Sequence, residues 1–209
     1  MISSIGDNLN ILISCNYTIH DNWMSFLCWY SLTKNLPQAK VVIACNRTMN
    51  SGNSELFGWT RKCNIPFELH KSTDREGQIN LVLQKGIVVA PLLVLRPDTV
   101  AIRDFEESGF DTNILEGKVL KASDLPEICC EAMVPNSDRS STKHYEKPCV
   151  FVTYSNGWGK FVTSSWIHKG GCPFTSENRY GHGNMTTNET RIGKLWSAVS
   201  PLFQTVSRG

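Results

Sequence analysis

The sequence predicts an α/β fold: a single domain with a mostly parallel central sheet flanked by helices. Apolar runs at 9–15, 39–46 and 91–95 have strand length, and the first two close on polar residues, Asn16 and Asn46. The first two runs are separated by a helix-patterned stretch, long enough for a parallel crossover. The chain has 209 residues, 41% hydrophobic and 19% charged, enough apolar material for one sizeable core. That composition excludes disorder, collagen, a coiled coil and a metal-stabilised mini-protein.

The elements follow in order. LNILISC (9–15) is a short buried strand. Asp21 or Asn22 is a suitable cap for a helix over 23–35, where Phe26, Leu27 and Tyr30 recur at helical spacing. Pro37 closes that connection, and AKVVIACN (39–46) is the second strand. A short helix is expected at 52–64 and a third strand at 65–70. Ser72, Thr73 or Asp74 caps a helix running to Gly86. Pro91 argues against one unbroken inner strand over 87–97, so a junction near residue 90 leads into a strand at 91–95. TVAIRD (99–104) is a further strand. Residues 105–147 turn acidic and then polar, with 135–148 read as a loop. CVFVTYS (149–155) is a strand, 156–167 a glycine-rich turn and an alternating aromatic segment, 170–188 a polar loop, and 189–203 an amphipathic helix.

The longest apolar run, 87–95, is about half of what a bilayer helix needs. The N-terminus has neither a basic leader nor a small-residue cleavage site, so the expected location is cytoplasmic. Eight cysteines are scattered without the spacing of a structural zinc site, which suits reduced thiols. The formal charge of +2 conceals an asymmetry: residues 1–97 carry +3, residues 98–138 carry −7 and residues 139–209 carry +6. A basic final third is compatible with phosphate contacts, and equally with a solvated face.

The motif that carries chemistry is LLVLRPDTVAIRDF (92–105), with Arg96 and Asp98 at the end of a very apolar strand. Here the sequence resembles the nucleotide-sugar glycosyltransferases of the A-type fold, over roughly residues 9–105. In that family an aspartate–x–aspartate motif at the end of an apolar strand holds a divalent cation on the donor diphosphate. The resemblance makes Asp98 the last motif aspartate and a metal ligand for Mn²⁺ or Mg²⁺. Arg96 replaces the first aspartate; it either supplies fixed positive charge to the diphosphate or marks weakened metal binding. The same resemblance makes Asn16, Tyr17, Arg47, Asp74, Arg75 and Gln78 contacts for the donor nucleotide. Residues 1–105 then form the donor-binding half and 106–209 the acceptor-facing half.

Small size and the run CVFVTYSNGWGKFVTSSWI (149–167) are similar to bacteriophage enzymes that glycosylate hydroxylated pyrimidines in DNA. The implied reaction moves glucose or arabinose from a UDP-sugar to a hydroxylated or hydroxymethylated cytosine of double-stranded DNA, in the infected bacterial cytoplasm. Gly157 and Gly159 allow close backbone approach to a ligand, Trp158 offers a stacking face and Lys160 reaches a phosphate. A hairpin turn explains the same four residues structurally. Asp98, Arg96 and Lys160 are the candidates to meet charge on the departing diphosphate. Glu131 and Asp138 are nearby acids that suit the acceptor side, whereas His168 and His182 read as loop residues. A transferase acting on glycan or protein, and a non-catalytic nucleotide- or DNA-binding module, are the competing readings.

Overall fold

The computed structural model describes residues 8–15, 19–46, 53–70, 74–132, 148–154 and 198. Its centre is β1 (Asn10–Cys15), whose six residues are all buried. A strand covered on both faces needs a largely apolar run, which Ile11, Leu12, Ile13 and Cys15 supply, while the buried Asn10 and Ser14 side chains are hydrogen-bonded. β1 pairs in parallel with β2 (Lys40–Asn46), from Asn10↔Lys40 to Cys15↔Cys45. On its other side it pairs in parallel with β4 (Leu92–Leu95), from Asn10↔Leu92 to Ile13↔Leu95. β3 (Phe67–His70) lies outside β2 and β6 (Val119–Lys121) outside β4, giving a five-stranded parallel sheet ordered β3-β2-β1-β4-β6.

Alternation along the strands divides the core in two. Ile11, Ile13, Ile43, Leu93 and Leu95 meet α1 (Ile19–Asn35) and α2 (Asn53–Lys62), where Phe26 and Trp59 pack edge to face with ring centres 5.0 Å apart. Leu12, Val42, Ala44, Leu92 and Val94 meet Ile79 and Val82 of α3 (Arg75–Gln84) on the other face. The chain therefore builds outward from β1 to β3 along one face, then crosses back over the other to enter β4. The strand order reverses between β1 and β4, whose connections lead to opposite edges of the sheet. The carboxyl ends at such a switch point are where the ligand crevice of α/β folds is expected.

A second sheet packs on the α1 side. β5 (Thr99–Ala101) pairs antiparallel with β8 (Phe151–Tyr154), which pairs in parallel with β7 (Cys129–Ala132). α1 holds β5 by both backbone groups of Ala101: its N–H donates to Ser31 Oγ at 2.8 Å, and its carbonyl accepts from Asn35 Nδ2 at 3.0 Å. After β5 comes α4 (Phe105–Ser108), whose buried Phe105 packs on Phe151; it is capped by Asp104 and ended by Gly109 at φ +71°, a left-handed position that suits glycine.

Several expectations are corrected. The first helix begins at Ile19, so Asp21 and Asn22 lie inside it rather than capping it. The strand expected at 99–104 ends at Ala101 and joins the second sheet. The acidic stretch after residue 105 contains α4, β6, β7 and two short 3-10 turns. The segments expected at 156–167, 170–188 and 189–203 fall outside the described structure, apart from residue 198, which is helical. Among the described residues no disulfide links the cysteines.

Candidate functional site

The crevice at the β1–β4 junction receives the motif directly. Arg96, Pro97 and Asp98 follow the last residue of β4, and Thr99 N–H donates back to the Arg96 carbonyl at 3.1 Å. This is a four-residue turn with proline at its second position, the place that a fixed φ favours. The turn brings Asp98 back onto Arg96. Arg96 Nε donates to Asp98 Oδ1 at 2.9 Å, and Arg96 Nη2 donates to Asp98 Oδ2, a two-pronged guanidinium–carboxylate pair.

Asp98 is the more enclosed partner, with 18% of its side chain exposed against 40% for Arg96. Burial pushes the Asp98 carboxyl above its ordinary value, because the charged form loses water. The hydrogen bonds and charge of Arg96 oppose that rise, and the charge of Arg75 opposes it further. Beneath the pair on α1, the fully buried Cys28 thiol is pushed well up by burial, by neighbouring Cys15 and by Asp98.

The start of α3 forms the second wall. Asp74 caps the helix, its carboxylate accepting from Glu76 N–H at 3.2 Å and Gly77 N–H at 3.3 Å. Glu76 pairs with Lys121 at 2.6 Å, tying the helix to the end of β6. Gln78, fully buried, ties it to β1: its side-chain oxygen accepts from Ser14 Oγ at 2.6 Å, and its amide donates to the Cys15 carbonyl at 3.0 Å. Arg75 lies one turn before Gln78, so it is carried to the same end of the sheet. Its Nε is buried and has no hydrogen-bond partner among the described residues.

The third wall comes from the second sheet. Thr99 stands opposite Thr153, and Glu131 is in register with Thr153 from the other side. Because β8 runs antiparallel to β5, its final residues return toward Asp98.

The structure thus gathers Arg96, Asp98 and Arg75. It uses Asp74 as a helix cap and Gln78 as a strut. Asn16, Tyr17, Arg47, Gly157, Trp158, Gly159 and Lys160 lie outside the described residues, as do Asp138, His168 and His182. The sequence reading missed Ser14, Thr99 and Thr153. Ser14 carried a signal, a hydroxyl inside an otherwise apolar strand, whereas the threonine pair needed the strand register.

The Asp98 carboxylate is engaged within the chain itself. Both carboxylate oxygens are held by a guanidinium, and no group of three or more His, Cys, Asp or Glu among the described residues could hold a metal ion. A separate cleft of ≈ 480 Å³ opens where the strands begin, lined by Leu9, Leu36, Pro37, Phe105, Glu106 and Phe110. It is at the end opposite the Arg96–Asp98 turn.

The architecture is an α/β fold with a parallel central sheet and a switch point, a geometry compatible with a nucleotide-binding scaffold. No helix among the described residues is long and apolar enough to cross a membrane. No family model matches the chain, and no curated protein matches it.

Proposed function

We propose that the chain is a nucleotide-sugar-dependent glycosyltransferase, whose donor diphosphate lies in the β1–β4 crevice against Arg96. The observation that carries this reading is an arginine just past the carboxyl end of β4, paired with Asp98, on which the charge of a second guanidinium, Arg75, also acts. Arginine forks match phosphate oxygens, and fixed cations there meet charge developing on a departing diphosphate. The proposed acceptor is the hydroxyl of a hydroxylated or hydroxymethylated cytosine in double-stranded DNA, and the proposed donor a UDP-sugar. The setting would be the cytoplasm of a phage-infected bacterium.

In the transfer, the acceptor hydroxyl oxygen bonds to the anomeric carbon and gives up its proton. The bond from that carbon to the diphosphate oxygen breaks, and the nucleoside diphosphate leaves with the electron pair. Arg96, with Lys160 from the chain beyond β8, would neutralise the leaving group. The hydroxyl proton would pass to a general base on the acceptor side. A cytosine inside a duplex must leave the stack to be reached, and the +6 charge of residues 139–209 suits the surrounding phosphates.

The test is incubation with a panel of nucleotide sugars and hydroxymethylcytosine DNA, followed by mass analysis of the digested nucleosides. A cytidine heavier by one sugar residue supports the proposal. Unchanged nucleosides with every donor contradict it. One observation favours a second reading, a non-catalytic nucleotide-binding module: Asp98 is engaged by Arg96 rather than held open for a cation. That reading expects nucleotide binding without turnover.

A further inference from the structure

We propose that Asp98 is an internal stand-in for a phosphate, occupying Arg96 until a pyrophosphate-bearing ligand displaces it, and that this binding needs no divalent cation. The inference rests on the donor-site reading above and assigns Asp98 a role opposite to that of a metal ligand.

Three observations converge on it. First, the carboxylate satisfies the guanidinium fork with both oxygens, the geometry that two phosphate oxygens would adopt. Second, Asp98 is more enclosed than Arg96, and burial works against its ionised form. The carboxylate therefore occupies the pocket at a desolvation cost, while Arg96 keeps a face toward solvent from which a ligand can approach. Third, Arg75 brings a second guanidinium whose charge acts on Asp98 and whose buried Nε has no hydrogen-bond partner among the described residues. Arg96 grips the carboxylate directly, and Arg75 adds a second positive charge that acts on it from beyond ion-pair distance. That imbalance favours a ligand with more negative charge and more acceptor oxygens, which a diphosphate provides.

Exchange then proceeds without covalent chemistry. The incoming diphosphate accepts from Arg96 and from Arg75, and the turn at 96–99 releases the Asp98 carboxylate. Gln78 holds the start of α3 against β1, so Arg75 stays within reach while the turn rearranges.

The two roles for Asp98 predict opposite signs. Inorganic pyrophosphate and UDP are titrated calorimetrically into the full chain, in EDTA and in excess Mg²⁺ or Mn²⁺, with wild type, Asp98→Asn and Asp98→Ser. Removing a competing charge-assisted pair should tighten pyrophosphate binding about 10-fold in EDTA. Wild-type affinity should change less than about 3-fold when the metal is added. Far-UV circular dichroism identifies a variant that fails to fold; the serine variant and the wild-type metal comparison then still decide. Weaker binding in both folded variants, or wild-type binding that requires the metal, overturns the inference and leaves the donor site standing. Absence of pyrophosphate and UDP binding in every protein and condition overturns both. Failure of sugar transfer with metal-free binding intact overturns the transferase reading alone.

Discussion

Thr99 and Thr153 face each other across the β5–β8 ladder with their hydroxyl oxygens 3.0 Å apart, both buried. The contact joins the residue after Asp98 to the strand that returns to the crevice from the second half of the chain. It is extended by the Cys129 thiol, 3.3 Å from Thr153 Oγ1. Thr153→Val keeps the shape and removes the shared hydroxyl, leaving Thr99 with a buried unpaired group. Urea unfolding should show a loss of about 1–2 kcal/mol. An unchanged midpoint would mean that the hydroxyl pair does not hold the two strands together.

Gln78→Met tests the strut between α3 and β1. The replacement preserves much of the volume but removes the acceptor of the Ser14 hydroxyl and the side-chain donor to the Cys15 carbonyl. A loss of about 2 kcal/mol in denaturant unfolding is expected, together with weaker pyrophosphate binding as Arg75 loses its anchor. Full affinity in a destabilised variant would remove Gln78 from the positioning of the site.

Arg96→Ala predicts a pH-dependent loss. The Asp98 carboxyl is already raised by burial, so the native state holds its proton more tightly than the unfolded chain does. Its contribution is therefore fully present at acid pH and declines as pH rises through the native value. Removing Arg96 raises that value further. The variant should lose about 1–2 kcal/mol relative to wild type at pH 7, with the difference shrinking toward pH 4. Paired denaturation curves at the two pH values check this; a constant difference would contradict it.

Ser31→Ala removes the acceptor for the buried Ala101 N–H. Stability should fall by about 1–2 kcal/mol, and hydrogen exchange at Ala101 should quicken. Unaltered exchange there would show that Asn35 alone secures β5 to α1.

Much of the central sheet was legible because β1, β2 and β4 lie inside it and must be apolar on both faces. Asp74 was legible as a cap because its side chain answers to the backbone beside it. The start of α1 was not: polar residues at 20–22 suit a cap and a first helical turn equally, and only the backbone separates the two. β6 was missed because an edge strand of three residues, VLK, has no apolar run. The acidic composition between 105 and 131 likewise hid elements whose buried anchors are single residues, Phe105, Leu115 and Ala122.

At the site, the sequence put Arg96 and Asp98 in the same short motif but left their relationship open. Their mutual grip depends on the turn that follows β4. The approach of Arg75 depends on where α3 starts and on the anchoring of Gln78. The row Glu131–Thr153–Thr99 depends on the register of three strands drawn from distant parts of the chain. None of these follows from local spacing.

The central claim is that Arg96 meets the donor diphosphate during sugar transfer. It is tested most directly by measuring sugar addition to hydroxymethylcytosine DNA by wild type and Arg96→Ala, side by side, with saturating donor. The account predicts modified nucleoside from wild type and a rate at least about 100-fold lower from the variant, as for loss of a charged group at the developing anion. Equal rates from the two proteins would contradict it.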